Sequence, residues 1–403
     1  MIRKLTPILG ITFIDIVGFS MLLPILPYFV THFGMSPVVV GLLLSTFSLC
    51  QLISGPIWGN VSDRIGRKAV LIISQIGATI GWAMLAFAPN IAWVFVARII
   101  EGASGGNISI TQAYVADVVE PKQRAKAFGY ISATFAAGMV FGPAGGGILF
   151  SKFGFAAPFL AASLLQLLTL ILTVVLLPES RSKTEGDEHV GSREIMTTFT
   201  NPRLSPLLLQ KLALSLALYG WYSAIALYLA GQLHFNVVQT TQYFSLLAVV
   251  SVVINGFGVG KTSNKLGDRV MSSLGLVLLV GAFALAPFVH NVWTLTGVMV
   301  LFATGGAFAN TGLTAMISNA ATAREQGTVL GVSSSLDSFS GILAPPLSTG
   351  LLARYGSPFA SVESLIMSAI SLALGIRNSL RAPRVVSDVQ TQSVTTPPAE
   401  ELV

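Results

Sequence analysis

Charged residues are scarce in this sequence: Asp, Glu, Lys and Arg make up 10% of its 403 residues, against roughly 25% in soluble domains. An ordinary water-facing globule is thereby excluded. Cysteine is nearly absent, and the single Cys50, inside an apolar run, rules out an intrachain disulfide framework and a cysteine-based zinc site. The histidines His32, His189, His234 and His290 are scattered and form no metal-ligand cluster. No His/Cys/Asp constellation or cofactor motif supports an enzyme. No polar stretch is long enough for a signalling domain. The formal charge of +6 would suggest nucleic acid in a soluble protein, but the basic residues sit between apolar runs, as in Arg64, Arg67 and Lys68 or Lys261, Lys265 and Arg269. Such placement fits loops beside a lipid bilayer, with no nucleic-acid partner.

What is present is apolar: 53% hydrophobic residues and 39 glycines, with a mean hydropathy of +0.75. Runs near the ~20 residues that cross a bilayer occupy 6–30, 38–59, 69–89, 91–115, 127–150, 156–178, 206–231, 238–260, 270–289, 292–316, 328–351 and 357–376. The expected fold is all-α, a polytopic membrane protein of twelve transmembrane helices in two pseudosymmetric six-helix halves. The first run carries Asp15, Pro24 and Pro27 and no small-residue cleavage site, so it reads as a retained span. Of the 23 Lys and Arg, only Lys152 and Arg354 fall in one set of alternate connections, with Arg98 and Lys211 inside runs. The positive-inside rule then puts both termini in the cytoplasm. Residues 1–178 and 206–377 form the halves, 179–205 a polar linker, and 378–403 a tail too poor in apolar residues to pack.

An internal repeat supports the two halves. Gly59-Asn-Val-Ser-Asp63-Arg64-Ile-Gly66-Arg67-Lys68 recurs, degraded, as Gly260-Lys-Thr-Ser-Asn264-Lys-Leu-Gly267-Asp268-Arg269 at an offset of 201 residues, and at an offset of 202 Gly142-Pro143 lies over Ala344-Pro345. Paired halves of this kind suggest a transporter with its site between them. In the 59–68 segment glycine permits a tight turn, and Asp63, Arg64, Arg67 and Lys68 can pair with other helices when that face closes. A merely basic loop is the plain alternative; the ten-residue pattern argues against it.

That segment resembles the signature loop of the major facilitator superfamily. The resemblance implies that Gly59, Asp63, Arg64, Gly66, Arg67 and Lys68 form a gate, with Asp117 at the end of the fourth span as a partner. Asn264 replaces the acid in the second copy, so the two gates should be unequal. Gly129, Gly138, Gly142, Pro143, Gly146 and Gly147 have the spacing of a motif that resembles the antiporters of this superfamily. Small residues there allow close helix approach and Pro143 a kink; a plain packing face is the alternative.

Charges inside spans cost roughly 2.5–3.5 kcal/mol each on insertion scales and therefore face a cavity or a partner. Arg98 and Glu101 admit two readings, a structural i,i+3 pair or, by resemblance to the fourth-helix motif, a proton-transfer group tuning a nearby carboxylate. Asp15 supplies such a carboxylate, in a run similar to the first helix of tetracycline/proton antiporters. Asp337, on a serine-rich face, reads as a second proton or cation site, and Glu363 as interfacial. Polar handles for a substrate could come from Asn107, Gln112, Tyr219, Tyr222, Asn255 and Asn310, with Trp221 beside them. Tetracycline exporters carry a further acid in the third span, where this sequence has Gly81. The expectation is therefore a monomeric, proton-coupled exporter of a drug-like small molecule in a bacterial inner membrane, with protons as the counter-substrate and no cofactor; a sugar, nucleoside or siderophore exporter or facilitator is the alternative.

Overall fold

The computed structural model describes residues 2–105, 107–120, 123–179, 200–322 and 325–381, and among them there is no strand. The first group of helices is α1 (Ile2–His32), α2 (Pro37–Ile65), α3 (Arg67–Ala86), α4 (Ile91–Ala103), α5 (Asn107–Val118), α6 (Arg124–Phe153) and α7 (Ala156–Leu176). The second is α8 (Ser205–Leu233), α9 (Val237–Val253), α10 (Gly260–Leu285), α11 (Val292–Ala320), α12 (Gln326–Tyr355) and α13 (Val362–Arg381). Most of the linker and nearly all of the tail expected from the sequence lie outside the described residues.

Among the described residues, nine stretches are long and apolar enough to span a membrane. One of them, Val237–Phe288, has 52 residues, about 78 Å as helix at 1.5 Å per residue and so enough for two crossings. A π-helical segment, Ile254–Val259, joins α9 to α10, and the helix breaks at Gly267, dividing the eighth span from the ninth. The fourth span is cut by Ser104 and Gly105 into α4 and α5, with 13 and 12 residues, each too short alone. Helix α12 has the length, but its serines, Asp337 and Pro345-Pro346 dilute its hydropathy. These account for the twelve crossings.

Helix starts repeat as the sequence does. Asn90 caps α4 by accepting from Trp93 N at 3.2 Å, and Asn291 caps α11 by accepting from Thr294 N at 2.9 Å; the two lie 201 residues apart. Each satisfies a backbone donor that the first helical turn leaves orphaned. The segment expected to be a loop at 59–68 is mostly helix: α2 runs to Ile65, Gly66 alone turns at φ 103°, and α3 starts at Arg67. Its copy turns the same way at Gly267, φ 78°. Hydropathy read the charged ends of these helices as loop because they stand beyond the apolar belt.

The halves meet along α2 with α12 and α6 with α9. Named contacts between them gather at the end bearing the α1–α2 and α8–α9 connections. Tyr28 Oη lies 2.8 Å from Phe235 O and 2.6 Å from Thr240 Oγ1, and Ser45 Oγ donates to Ile342 O at 2.5 Å. There Gly41 of α2 abuts Thr349 of α12, and Gly147 of α6 abuts Thr241 of α9, each so closely that a Cβ on the glycine would overlap the threonine hydroxyl.

Candidate functional site

In the first half, α4 carries Arg98 and Glu101 one turn apart, their side chains only 1% and 7% exposed, as an ion pair through Arg98 Nη2. The guanidinium also lies over the Trp82 and Phe47 rings, 5.2 and 5.7 Å from their centroids. Aromatic faces spread the cost of holding a cation away from water. The carboxylate placed on Arg98 is thus Glu101, on its own helix, where the sequence offered Asp15. Asp15 is half-buried on α1, just before Ile16, which meets Gly138 of α6, and Gly18, which meets Ala162 of α7. Gly81 of α3 faces the same α4 turn: an added Cβ would stand 3.2 Å from Ala97 O and 3.3 Å from the Cβ of Glu101. A side chain there would press on the segment that holds Glu101.

The glycine pattern on α6 is a packing seam. Gly138 meets Ile16, Gly142 meets Ser20 and Val17 O, and Gly146 meets Met21 and Ile25, all of α1. Ser20 Oγ donates to Gly138 O at 3.0 Å across this contact. Gly147 turns instead to the other half, while Gly129 has open space beside it. Helix α6 runs unbroken through Pro143.

At the α2–α3 turn, Arg67 pairs with Asp63 at 2.7 Å and with Asp117 of α5 at 3.2 Å, and donates to Ser62 Oγ at 2.5 Å. Arg64 is exposed and Gly59 lies inside α2. The sequence assigned Glu179 to the linker. The structure instead puts its carboxylate on the backbone N–H groups of Arg67 and Lys68, at 2.9 and 3.2 Å, an anion at the positive end of α3. Lys68 Nζ reciprocates at the C-terminal end of α7, donating to Val174 O at 2.8 Å. A side chain at Gly66 would be strained by its φ of 103° and would displace the Glu179 carboxylate. These contacts all join segments of the first half. Among the described residues the Gly267 turn has no such clamp: space beside it is open, and Ser263 Oγ donates to Asp268 at 2.5 Å within the same segment.

The second half holds a pair that sequence reasoning missed. Lys211 of α8, 5% exposed, lies 3.0 Å from Asp337 Oδ1 of α12, which is 32% exposed. Its Nζ also donates to Asn310 Oδ1 of α11 at 2.8 Å, and Ser215 Oγ donates to Asp337 Oδ1 at 2.5 Å. The available signal was a lysine inside an apolar run with no acid within four residues, which demands a partner from another helix. Tyr219 and Tyr222 are partly exposed on α8, but Trp221 is fully buried among Tyr228, Phe283 and Phe302 and is a core residue. Asn255 is not brought to this cluster by any contact; its amide donates back to Ser251 O at 2.8 Å. Gln112 is exposed on α5, and the side chain of Asn107 lies outside the described residues. Glu363 corrects the interfacial reading: it is 6% exposed, lies 3.3 Å from Ser348 Oγ, and occupies the space a side chain at Gly220 would need.

Among the described residues no group of His, Cys, Asp and Glu could hold a metal ion. A tetracycline resistance protein, class C, of Escherichia coli is 29% identical over 377 residues, covering 92% of this chain and 95% of its own. Multidrug resistance protein 2 of Bacillus subtilis is 29% identical over 346 residues, covering 83% and 85%. The solved structure of the human organic anion transporter MFSD10 (TETRAN) superposes with a TM-score of 0.70 at 22% identity, covering 93% of this chain and 99% of that one, which supports the fold. The family model of the Major Facilitator Superfamily matches residues 8–345 and 256–392. With its twelve crossings and paired halves, the chain belongs to the Major Facilitator Superfamily.

Proposed function

We propose that this multi-pass membrane transporter is a proton-coupled efflux antiporter that exports a drug-like small molecule by alternating access. It acts as a monomer in a bacterial inner membrane with both termini cytoplasmic, and its halves are residues 1–178 and 206–377. The observation that carries the reading is the Arg98–Glu101 pair, two charges buried in a helix of a membrane bundle, where ionisable groups mark proton or substrate paths. The α6 glycine seam against α1 supports it, since that seam holds the helix bearing Asp15. Under the positive-inside orientation, the end where the named contacts between the halves gather faces the periplasm. Resistance proteins of tetracycline and multidrug type among the relatives support efflux.

Asp15 serves as a proton carrier, Arg98 and Glu101 as its coupling partners, and the Gly66 turn, with Arg67 and Asp117, as the hinge clamp of the first half. The crowding at Gly81 disfavours a third-span acid and favours a broader substrate range over tetracycline itself. The test is proton release from acidified everted vesicles on adding tetracycline, cationic dyes, chloramphenicol and sugars, beside Asp15→Asn. A compound whose response disappears in the variant supports the reading. Equal responses in both, or none from folded wild-type protein, overturn it.

A further inference from the structure

The Lys211–Asp337 pair is built differently from an ordinary structural salt bridge. Its cation is the enclosed partner, 5% exposed, and its carboxylate the accessible one, 32% exposed. An arriving ligand therefore meets the carboxylate first. The amine has a second partner, Asn310 Oδ1 at 2.8 Å, which accepts an N–H bond from a neutral amine as well as from an ammonium. Asp337 is likewise held from the α8 side by Ser215 Oγ, so it keeps its position if the lysine lets go. Tyr219 lies within the field of Asp337, and Tyr219 and Tyr222 present partly exposed rings. A side chain at Gly341, one turn beyond Asp337 on α12, would meet both Tyr219 and Ser48 of α2. The pair thus opens where the two halves face each other.

We propose that this is an exchange site for an organic cation, with Lys211 as the proton carrier. The substrate's cationic group takes the Asp337 carboxylate against the tyrosine rings; the displaced Lys211 ammonium then breaks one N–H bond, keeps the electron pair as a neutral amine on Asn310, and passes the proton to water. Net charge at the site is the same before and after, which matters because an uncompensated buried charge is the costly state. Among the described residues the helices packed on α8 offer Lys211 no other acid: α9 and α11 contain no charged residue, α12 otherwise carries only Arg354 near its far end, and on α13 Arg377 is exposed, Arg381 ends the helix and Glu363 packs at Gly220 further along α8. Asp15 on α1 and Asp63 and Arg64 on α2 belong to the other half. An anionic substrate would need Asp337 protonated and would travel with the proton rather than against it, so exchange selects cations.

This inference rests on the antiport reading and is tested on the purified full-length protein in weakly buffered detergent, titrated with tetraphenylphosphonium. With Asp15 replaced by Asn throughout, so that the carrier proposed in the first half is silent, the protein should release about one proton per bound cation. Lys211→Gln should still bind the cation but release roughly tenfold fewer protons. Lys211→Arg keeps the ion pair, and hence the fold, but a guanidinium holds its proton, so it too should release none. Asp337→Asn should lose cation binding. Proton release per bound cation at the Asp15→Asn level in either lysine variant overturns the proposal, as does binding without release when Lys211 is intact. With Asp15 restored, proton exchange on adding neutral chloramphenicol or an aromatic sulfonate, but not tetraphenylphosphonium, overturns it while leaving antiport intact. No proton exchange with any of these compounds in that wild-type protein removes the antiport reading and this inference together.

Discussion

The two halves bury their charges in opposite ways. In the first, Arg98 and Glu101 are three residues apart on one helix, so the pair forms whenever α4 forms and its aromatic neighbours close over it. In the second, Lys211 and Asp337 come from α8 and α12, so the pair exists only if those helices pack in one register. A local pair marks a place; a cross-helix pair reports an arrangement. Removing a member should therefore disturb packing more in the second half than in the first.

The largest effect is expected from Asp337→Leu, which strands the enclosed Lys211 ammonium. A loss of about 3 kcal/mol is expected, the low end for breaking a buried pair because Asp337 is partly exposed. The double variant Lys211→Met/Asp337→Leu should recover most of it, read as the thermal midpoint of the detergent-solubilised protein. If the double variant is as unstable as the single, the pair does not set the packing and the contrast collapses. Glu101→Gln should cost less, about 2 kcal/mol, because Trp82 and Phe47 still face the guanidinium; a loss larger than that of Asp337→Leu would reverse the ranking.

The two glycine turns sharpen the contrast at the bundle's end. Glu179→Ala removes the anion at the start of α3 and should cost about 1 kcal/mol, seen as faster amide exchange at Arg67 and Lys68, while amides after Gly267 stay unchanged. Equal acceleration at both turns would mean that the clamp is not specific to the first half. The smallest effect concerns Glu325, an exposed residue before α12. Hydrogen bonds from the Thr322 hydroxyl and backbone N–H hold its carboxyl below the usual range. A depressed folded value contributes stability above the ordinary carboxylate range and loses it as pH falls through the folded value. Only the first turn of α12 should loosen in mild acid, as monitored by hydrogen exchange, with no change at the start of α6.

The spans were legible because a bilayer demands long apolar runs, and the duplication because Gly66 and Gly267 solve the same turn with the same residue. The α6 seam was legible as glycines spaced one helical turn apart. Local periodicity carries all of these. Lys211 with Asp337, Glu179 with the start of α3, and Glu363 with Gly220 each join residues more than a hundred positions apart, and no local pattern encodes which helices become neighbours. The break at Ser104 and Gly105 escaped notice for a different reason: hydropathy counts small residues as membrane-compatible and is blind to a helix that stops and restarts.

The contacts Gly41–Thr349 and Gly147–Thr241 make the two halves sexes rather than twins. At both seams the first half supplies the glycine socket and the second half the threonine plug. Expressed as separate chains, the halves should find each other and not themselves, a preference for unlike partners written into four positions.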